Sequence, residues 1–270
     1  MREVVHWPHG NRLVYLHAKA TPEYWDAWWR ATGKAPPPSP DDEVVRVTSR
    51  YLPRGARLLE GGCGRADKVK SLAVAGYGAV GVDFAEDAVK QSGIDYPGID
   101  VRQGDVRKLD FPDASFDGYW SIGVIEHFWD GYEDILAEAA RVVKPEGILF
   151  LTAPWFSPYR LAKARRGGYQ VVEFEREPES FYQFALPRAE VEGRLARHGF
   201  AVERWSGIAA EISMREDMPA LKRQVEWLFG SRGSVFKRAF RRALSDGLSG
   251  YCGHSFLAIA RRAAVRRPAK

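Results

Sequence analysis

Cysteine is almost missing from this chain: Cys63 and Cys252 are the only two in 270 residues. Two are too few for a disulfide framework, and Cys63 sits inside a glycine-rich turn. That usage suits a reducing compartment and predicts a cytoplasmic protein. The six histidines are scattered and share no ligand spacing with the cysteines, so no metal centre is expected. No run of about 18 apolar residues occurs, which excludes a spanning helix. The opening residues, Met-Arg-Glu-Val-Val-His-Trp-Pro-His, lack the apolar segment of a signal peptide. Acids are nearly absent from the C-terminal segment, where Asp246 alone faces a series of bases running from Arg232 to Lys270. Such a segment is either a solvated tail or a contact for an anionic partner: a membrane surface, a nucleic acid or an acidic substrate.

What is present suits one large domain or two small ones. Residues 1–40 are read as preceding the first strand. Thr21-Pro22-Glu23 opens a helix, with Thr21 as cap and proline in the first turn. Trp25, Trp28 and Trp29 then share one face at i, i+3, i+4 spacing. That face either packs on the main body or forms a lid over a ligand. A proline-rich stretch, residues 35–40, reads as a stiff connector. Residues 41–270 are read as a single domain with inserts at about 154–186 and 207–253.

The chain is organised around residues 57–66, Arg-Leu-Leu-Glu-Gly-Gly-Cys-Gly-Arg-Ala. Leu58 and Leu59 end a buried strand, Glu60 closes it, and Gly61, Gly62 and Gly64 form a turn where a ligand can approach bare backbone. A helix follows, with Val69, Leu72 and Ala73 on one face and Gly76 as its stop. Residues 79–83 form a second strand ending in Asp83, and residues 100–105 a third ending in Asp105. Residues 115–121 and 148–152 are a fourth and a fifth, separated by an amphipathic helix carrying Tyr132, Ile135, Leu136, Ala139, Ala140 and Val143. Strands alternating with helices predict an open α/β sheet, whose ligands bind at the carboxyl ends of its strands. Three carboxylates at that edge suit a ligand with an amino group, a ribose diol and an exocyclic amine, and S-adenosylmethionine has all three. A nicotinamide dinucleotide fits poorly, because Asp67 stands where its fingerprint needs a small residue and an acid would repel pyrophosphate.

Six motifs in order carry a resemblance: residues 58–66, Gly-Val-Asp-Phe (81–84), Gly-Asp-Val (104–106), Phe-Pro-Asp-Ala-Ser-Phe-Asp (111–117), Ser-Ile-Gly-Val-Ile-Glu-His-Phe (121–128) and Arg-Val-Val-Lys-Pro-Glu-Gly (141–147). Together they resemble the class I S-adenosylmethionine-dependent methyltransferases of small-molecule type, with a methyltransferase-11-like domain, over roughly residues 45–155. The departure is Ala66, where the family often has a third glycine; a small side chain there is expected to do little harm. The resemblance implies a Rossmann-like seven-stranded sheet of order 3-2-1-4-5-7-6, strand 7 antiparallel, with helices on both faces. It also implies that Glu60 lies near the cofactor's amino group and that Gly62 and Gly64 admit its methionine portion. Asp83 would take the ribose hydroxyls, Phe84 and Val106 would flank adenine, and Asp105 would accept from its amine. Ser121 and Ile122 would sit at the methionine end, and Trp25, if the first helix is a lid, would cover the cofactor.

Residues 199–205 and 254–260 suit strands six and seven. The insert at about 154–186 lies beside strand five and is rich in aromatic and basic residues. It is the expected acceptor cover, with Trp155, Phe156 and Tyr159 as candidate contacts, although most of its rings are expected to form a satellite core. The insert at about 207–253 carries apolar faces (Leu221, Val225, Leu228; Val235, Phe236, Phe240, Leu244) beside basic residues. It would cap the pocket, lie on an anionic membrane or form a homodimer contact. His127, after strand four, is the candidate general base, with Glu126 as its neighbour; the alternative is a structural histidine at a helix start. The expected activity is methyl transfer to a small organic acceptor, at oxygen. The rival readings are a lipid, quinone or other membrane-borne acceptor, and a catalytically silent cofactor-binding partner subunit. Nucleic acid is not expected, since no RNA-binding module or target-base motif is visible.

Overall fold

The structure is a computed structural model that describes residues 3–32, 37–230 and 235–264. Two strands open it, β1 (Glu3–Trp7) and β2 (Arg12–Leu16), followed by helices α1 (Pro22–Ala31) and α2 (Glu43–Thr48). The alternating part comprises β3 (Arg57–Gly61), α3 (Asp67–Val74), β4 (Gly78–Asp83), α4 (Glu86–Asp95), β5 (Asp100–Gln103), β6 (Phe116–Ile122), α5 (Glu133–Val142) and β7 (Val143–Pro154). The second half adds α6 (Pro158–Arg165), β8 (Gln170–Val171), β9 (Phe181–Ala185), α7 (Arg188–Arg197), β10 (Phe200–Ile208), α8 (Ala210–Asp217), α9 (Lys222–Gly230), α10 (Val235–Cys252) and β11 (Ser255–Arg262).

Seven strands form the main sheet, in the order β10-β11-β7-β6-β3-β4-β5. All pairs are parallel except those of β11, which runs antiparallel to both neighbours. The order reverses between β3 and β6, so their carboxyl ends diverge and leave a crevice. Strands covered on both faces must be apolar throughout, and Leu58, Leu59, Phe150 and Leu151 are all sealed from solvent. Trp120 stacks on Phe150 at 4.4 Å and donates its indole N–H to Thr48 Oγ1 at 2.9 Å, which ties α2 to the sheet. On the other face α5 buries Ile135, Leu136, Ala139 and Val142, the spacing of one helical stripe. Burial of each large aliphatic side chain stabilises the fold by about 1.5–3 kcal/mol. Among the described residues no helix is long and apolar enough to cross a membrane.

The N-terminal segment differs from the sequence expectation. Residues 1–40 do not all precede the first strand: β1 and β2 pair antiparallel as a hairpin. Its turn is closed by the Asn11 N–H donating to the Pro8 carbonyl at 3.0 Å. The hairpin joins the first insert in a second sheet of order β8-β1-β2-β9. The proline-rich connector lies partly outside the described residues, as do Arg266, Arg267 and Lys270 of the basic tail.

The two inserts are pinned together by a buried charge pair. The Arg160 guanidinium, fully buried on α6, donates to Asp217 Oδ2 at 2.7 Å and to the carbonyls of Trp155 and His254 at 3.1 and 3.0 Å. Asp217, at the end of α8, also accepts from Ser213 Oγ at 2.6 Å and Tyr169 OH at 3.1 Å. Removing one partner strands the other charge. Arg160→Ala is expected to cost about 3–5 kcal/mol in urea unfolding, whereas the double change Arg160→Met with Asp217→Leu costs much less.

Candidate functional site

A cleft of about 880 Å³ opens at the carboxyl ends of β3, β4, β5 and β6, under α1. Its floor is the glycine turn. The N–H groups of Gly62 and Cys63 donate to the Val82 carbonyl at 2.8 and 3.1 Å, so the turn folds back over the end of β4. Asp83 completes the attachment, accepting from Gly64 N at 2.7 Å and from Ala85 N at 2.9 Å. Gly62 and Gly64 take φ of +73° and +51°, the left-handed region that glycine enters without strain. Ala66 fits in space but also takes φ 60°, so the missing third glycine costs about 1–2 kcal/mol of backbone strain.

Glu60 lines this cleft yet is only 4% exposed, and its Oε2 has no hydrogen-bond partner. Burial pushes its carboxyl well above the usual range, with the Asp67 charge adding to the effect. A buried acceptor of this kind is costly unless a ligand cation meets it. Asp83 is also raised by burial, against the two backbone N–H bonds it accepts. Asp105, at the cleft edge after β5, is held below the usual range by Arg107, which donates to both its oxygens. Phe84 is 39% exposed, an unusual exposure for phenylalanine, and lines the same wall as Val106.

The other side of the cleft is built by the segment after β6, where the chain makes a 3-10 turn over Ile125–His127. His127 Nδ1 lies 2.7 Å from the Tyr182 carbonyl of β9. A carbonyl only accepts, so Nδ1 carries the proton and the basic lone pair of the neutral ring is on Nε2. Trp25 and Tyr182 meet the imidazole edge-on, with centroids 5.2 and 5.0 Å away.

Of the residues singled out in the sequence, Trp25, Glu60, Gly62, Asp83, Phe84, Asp105, Val106, Ile122 and His127 come together around the cleft. Gly64 lies beneath Trp29, and Ser121 is buried behind the wall with its hydroxyl unpartnered. Glu126 is 3% exposed and does not line the cleft. The proposed acceptor contacts are elsewhere. Trp155 packs on Trp205 at 6.0 Å in the main core. Phe156 lies with Leu13, Tyr15 and Tyr169 under the small sheet. Tyr159 donates to the Asp217 carbonyl at 3.2 Å and faces α10 through Tyr251. The first insert reaches the cleft through Glu177 alone. Sequence reading missed Phe128 and Trp129 in the wall. Trp129 is placed by Trp7, which stacks on it at 5.1 Å, a partnership across the chain that no local pattern announces.

Glu126 has a consequence for stability. Burial raises its carboxyl to about 8, and its Oε2 has no partner. The native form therefore binds more protons than the unfolded chain between the usual carboxyl range and about pH 8. Stability contributed at low pH is lost as pH rises through that interval, at about 1.4 kcal/mol per unit. Glu126→Gln is expected to raise the calorimetric Tm at pH 8.5 and to leave it unchanged at pH 4.5.

The comparisons with known proteins agree with this geometry. Residues 59–151 match the methyltransferase domain family. A probable S-adenosylmethionine-dependent methyltransferase of Mycolicibacterium smegmatis is 29% identical over 68% of this chain and 69% of its own. Against a related Mycobacterium tuberculosis protein, 35% identical, the chain spans 43% of that protein's length. A ubiquinone biosynthesis O-methyltransferase of Xanthomonas axonopodis is 29% identical over 68% of this chain and 80% of its own. Among solved structures, an S-adenosylmethionine-dependent methyltransferase from Methanosarcina mazei superposes with a TM-score of 0.55 at 18% identity, covering 81% of this chain and 98% of that one. Sheet order, motif series and relatives agree that residues 59–151 are a methyltransferase domain of the class I S-adenosylmethionine-dependent type.

Proposed function

We propose that the chain methylates an oxygen of a small planar acceptor, with His127 as the general base. The observation that carries this reading is the 2.7 Å contact between His127 Nδ1 and the Tyr182 carbonyl. It leaves Nε2 as the proton-accepting atom, on a ring that lines the cleft. When bound, S-adenosylmethionine supplies an electrophilic methyl group on a sulfonium, open to in-line displacement.

The residues present fit that cofactor. Glu60 would meet the amino group with the oxygen that now has no partner. Gly62 offers backbone with no side chain in the way, and Ile122 closes the methionine end. Asp83 keeps lone pairs for ribose hydroxyls beyond the two N–H groups it holds. Phe84 and Val106 would take the faces of adenine and Asp105 its amine. On the acceptor side, Trp25, Trp28 and Trp129 replace the insert residues Trp155, Phe156 and Tyr159 as walls. Flat aromatic walls select a planar acceptor and exclude water, and holding it in line supplies on the order of 7–11 kcal/mol. Removal of the acceptor's proton by His127 adds about 10²–10⁴ in rate. The O-methyltransferase among the relatives supports oxygen as the target.

A membrane-borne acceptor is the second reading. Trp227 and Phe240 are 72% and 58% exposed on α9 and α10, which also carries Arg241 and Arg242. Exposed aromatic and basic side chains on helices suit an anionic interface. Sedimentation with phosphatidylglycerol vesicles separates the readings: the protein co-sediments under the second and stays in the supernatant under the first.

His127→Ala is expected to lower kcat by about 10²–10⁴ while the calorimetric Kd for the cofactor stays within a factor of two. Unchanged turnover would remove His127 from the chemistry. Glu60 yields a pH signature. Because burial favours its neutral form, binding an ammonium group there releases a proton, and affinity falls as pH drops below the free-protein pKa. Calorimetry in buffers of different ionisation heat will show that release, and Glu60→Gln will abolish it and weaken binding.

A further inference from the structure

Helix α1 crosses the mouth of the cleft without burying a single residue of its own. Its inner edge carries Trp25, Trp28 and Trp29, with ring centroids 4.6 to 6.5 Å apart. Trp29 is seated on the glycine turn: a Cβ added to Gly64 would overlap its indole ring. The same indole lines the cleft and also a side cavity of about 480 Å³, bounded by Arg30, Arg65, Asp87 and Asp95. Trp29 is therefore a partition between the two spaces, standing on the residue in the middle of the ligand turn.

The attachments of α1 are a few polar contacts and ring-on-ring contacts made by its aromatic side chains. The Asp87 N–H, in the first turn of α4, donates to Asp26 Oδ1 at 3.1 Å. The Asp87 carboxylate pairs with Arg30 at 3.2 Å, with side chains 42% and 68% exposed. Exposed pairs of this kind contribute little and exchange readily with water. At the other end, Lys19 meets Glu177 at 2.7 Å across the mouth. Tyr24 and Trp25 touch Tyr182 through ring edges, at 5.8 and 6.5 Å. A helix with no buried residue, held by two polar contacts to α4 and by ring contacts, with its aromatic face on a ligand site, has the construction of a gate.

We propose that α1 gates cofactor exchange, with Trp29 as the sealing residue and Asp26, Arg30 and Asp87 as the latch. The proposal rests on the reading that the cofactor lies along the glycine turn. With the gate closed, Trp29 blocks passage between the turn and the side cavity, and Trp25 covers His127 at 5.2 Å. One swing of the helix opens both the cofactor seat and the base to solvent, and one closure dries both. Gly64 thus has two reasons to be glycine: its φ of +51°, and the room its missing side chain leaves for Trp29.

The test is stopped-flow binding and release of S-adenosylhomocysteine by the full chain, with calorimetric Tm as a check on folding. In Trp29→Ala, and separately in the double variant Asp26→Ala with Arg30→Ala, association and dissociation rate constants should both rise at least tenfold, while Kd moves less than either. Trp29→Phe should restore rates to within threefold of wild type. Rates unchanged in both the seal and latch variants would overturn the gate. So would a rise in dissociation alone, which marks Trp29 as a ligand contact and not a door. If the wild-type chain binds no S-adenosylhomocysteine by calorimetry, the cofactor reading falls and the gate with it. If it binds normally and only the rate effects are missing, the gate alone falls.

Discussion

Much of this molecule hangs on one carboxylate. Asp83 receives the N–H of Gly64 and that of Ala85, and so joins the glycine turn after β3 to the start of α4. A turn rich in glycine has no side chains to hold it and a large entropy to lose on ordering. The Asp83 bonds, with the Val82 carbonyl beneath, supply that order from the neighbouring strand. The cost is a carboxylate pushed upward by burial. Three residues of the cleft take their places from this knot: Glu60 at one end of the turn, Phe84 directly after the acid, and Trp29 resting above.

The acceptor side has a different origin. It is held by the small sheet, in which an N-terminal hairpin and the first insert share strands. That sheet delivers the Tyr182 carbonyl to His127 and Trp7 to Trp129. On the proposed reading, the main sheet positions the methyl donor and the added sheet positions whatever receives it. This division fits a fold that serves many acceptors by changing what is appended to a constant cofactor seat.

The parts legible in the sequence were those whose cause is local. An acid stands at or just past the carboxyl end of each of the first three parallel strands, Glu60, Asp83 and Asp105, so β3, β4 and β5 are legible with their carboxylates. Thr21 caps α1 as its type and position require, accepting the Tyr24 N–H at 3.2 Å. The hairpin is not legible in this way, although Val4-Val5-His6-Trp7 and Leu13-Val14-Tyr15-Leu16 flank a Pro-His-Gly-Asn turn, because two short apolar runs say nothing about a third strand far along the chain. For the same reason the sequence offers Trp155, Phe156 and Tyr159 as acceptor contacts and passes over Trp129. Aromatic rings are alike in sequence, and only the pairing of β9 with β2 decides which enter a core and which face the cleft. Leu221, read with Val225 on one apolar helix face, lies in the 3-10 turn before α9 and is 43% exposed, whereas Val225 on α9 is buried.

The pairing of β2 with β9 also dictates an order of events during synthesis. Leu13 sits beside Ala185 and Leu16 beside Phe181, so the hairpin emerges from the ribosome long before the strand that covers its edge exists. At usual elongation rates the interval is on the order of ten seconds or more. Through that time an apolar two-stranded ribbon, unstable by itself, waits with both edges open, since β8 on the β1 side is also late in the chain. The central sheet through β7 can form meanwhile, because its strands follow one another closely. The strands that carry Glu60 and Asp83 thus exist well before the one that matches the hairpin, and β10 and β11 complete the main sheet after it.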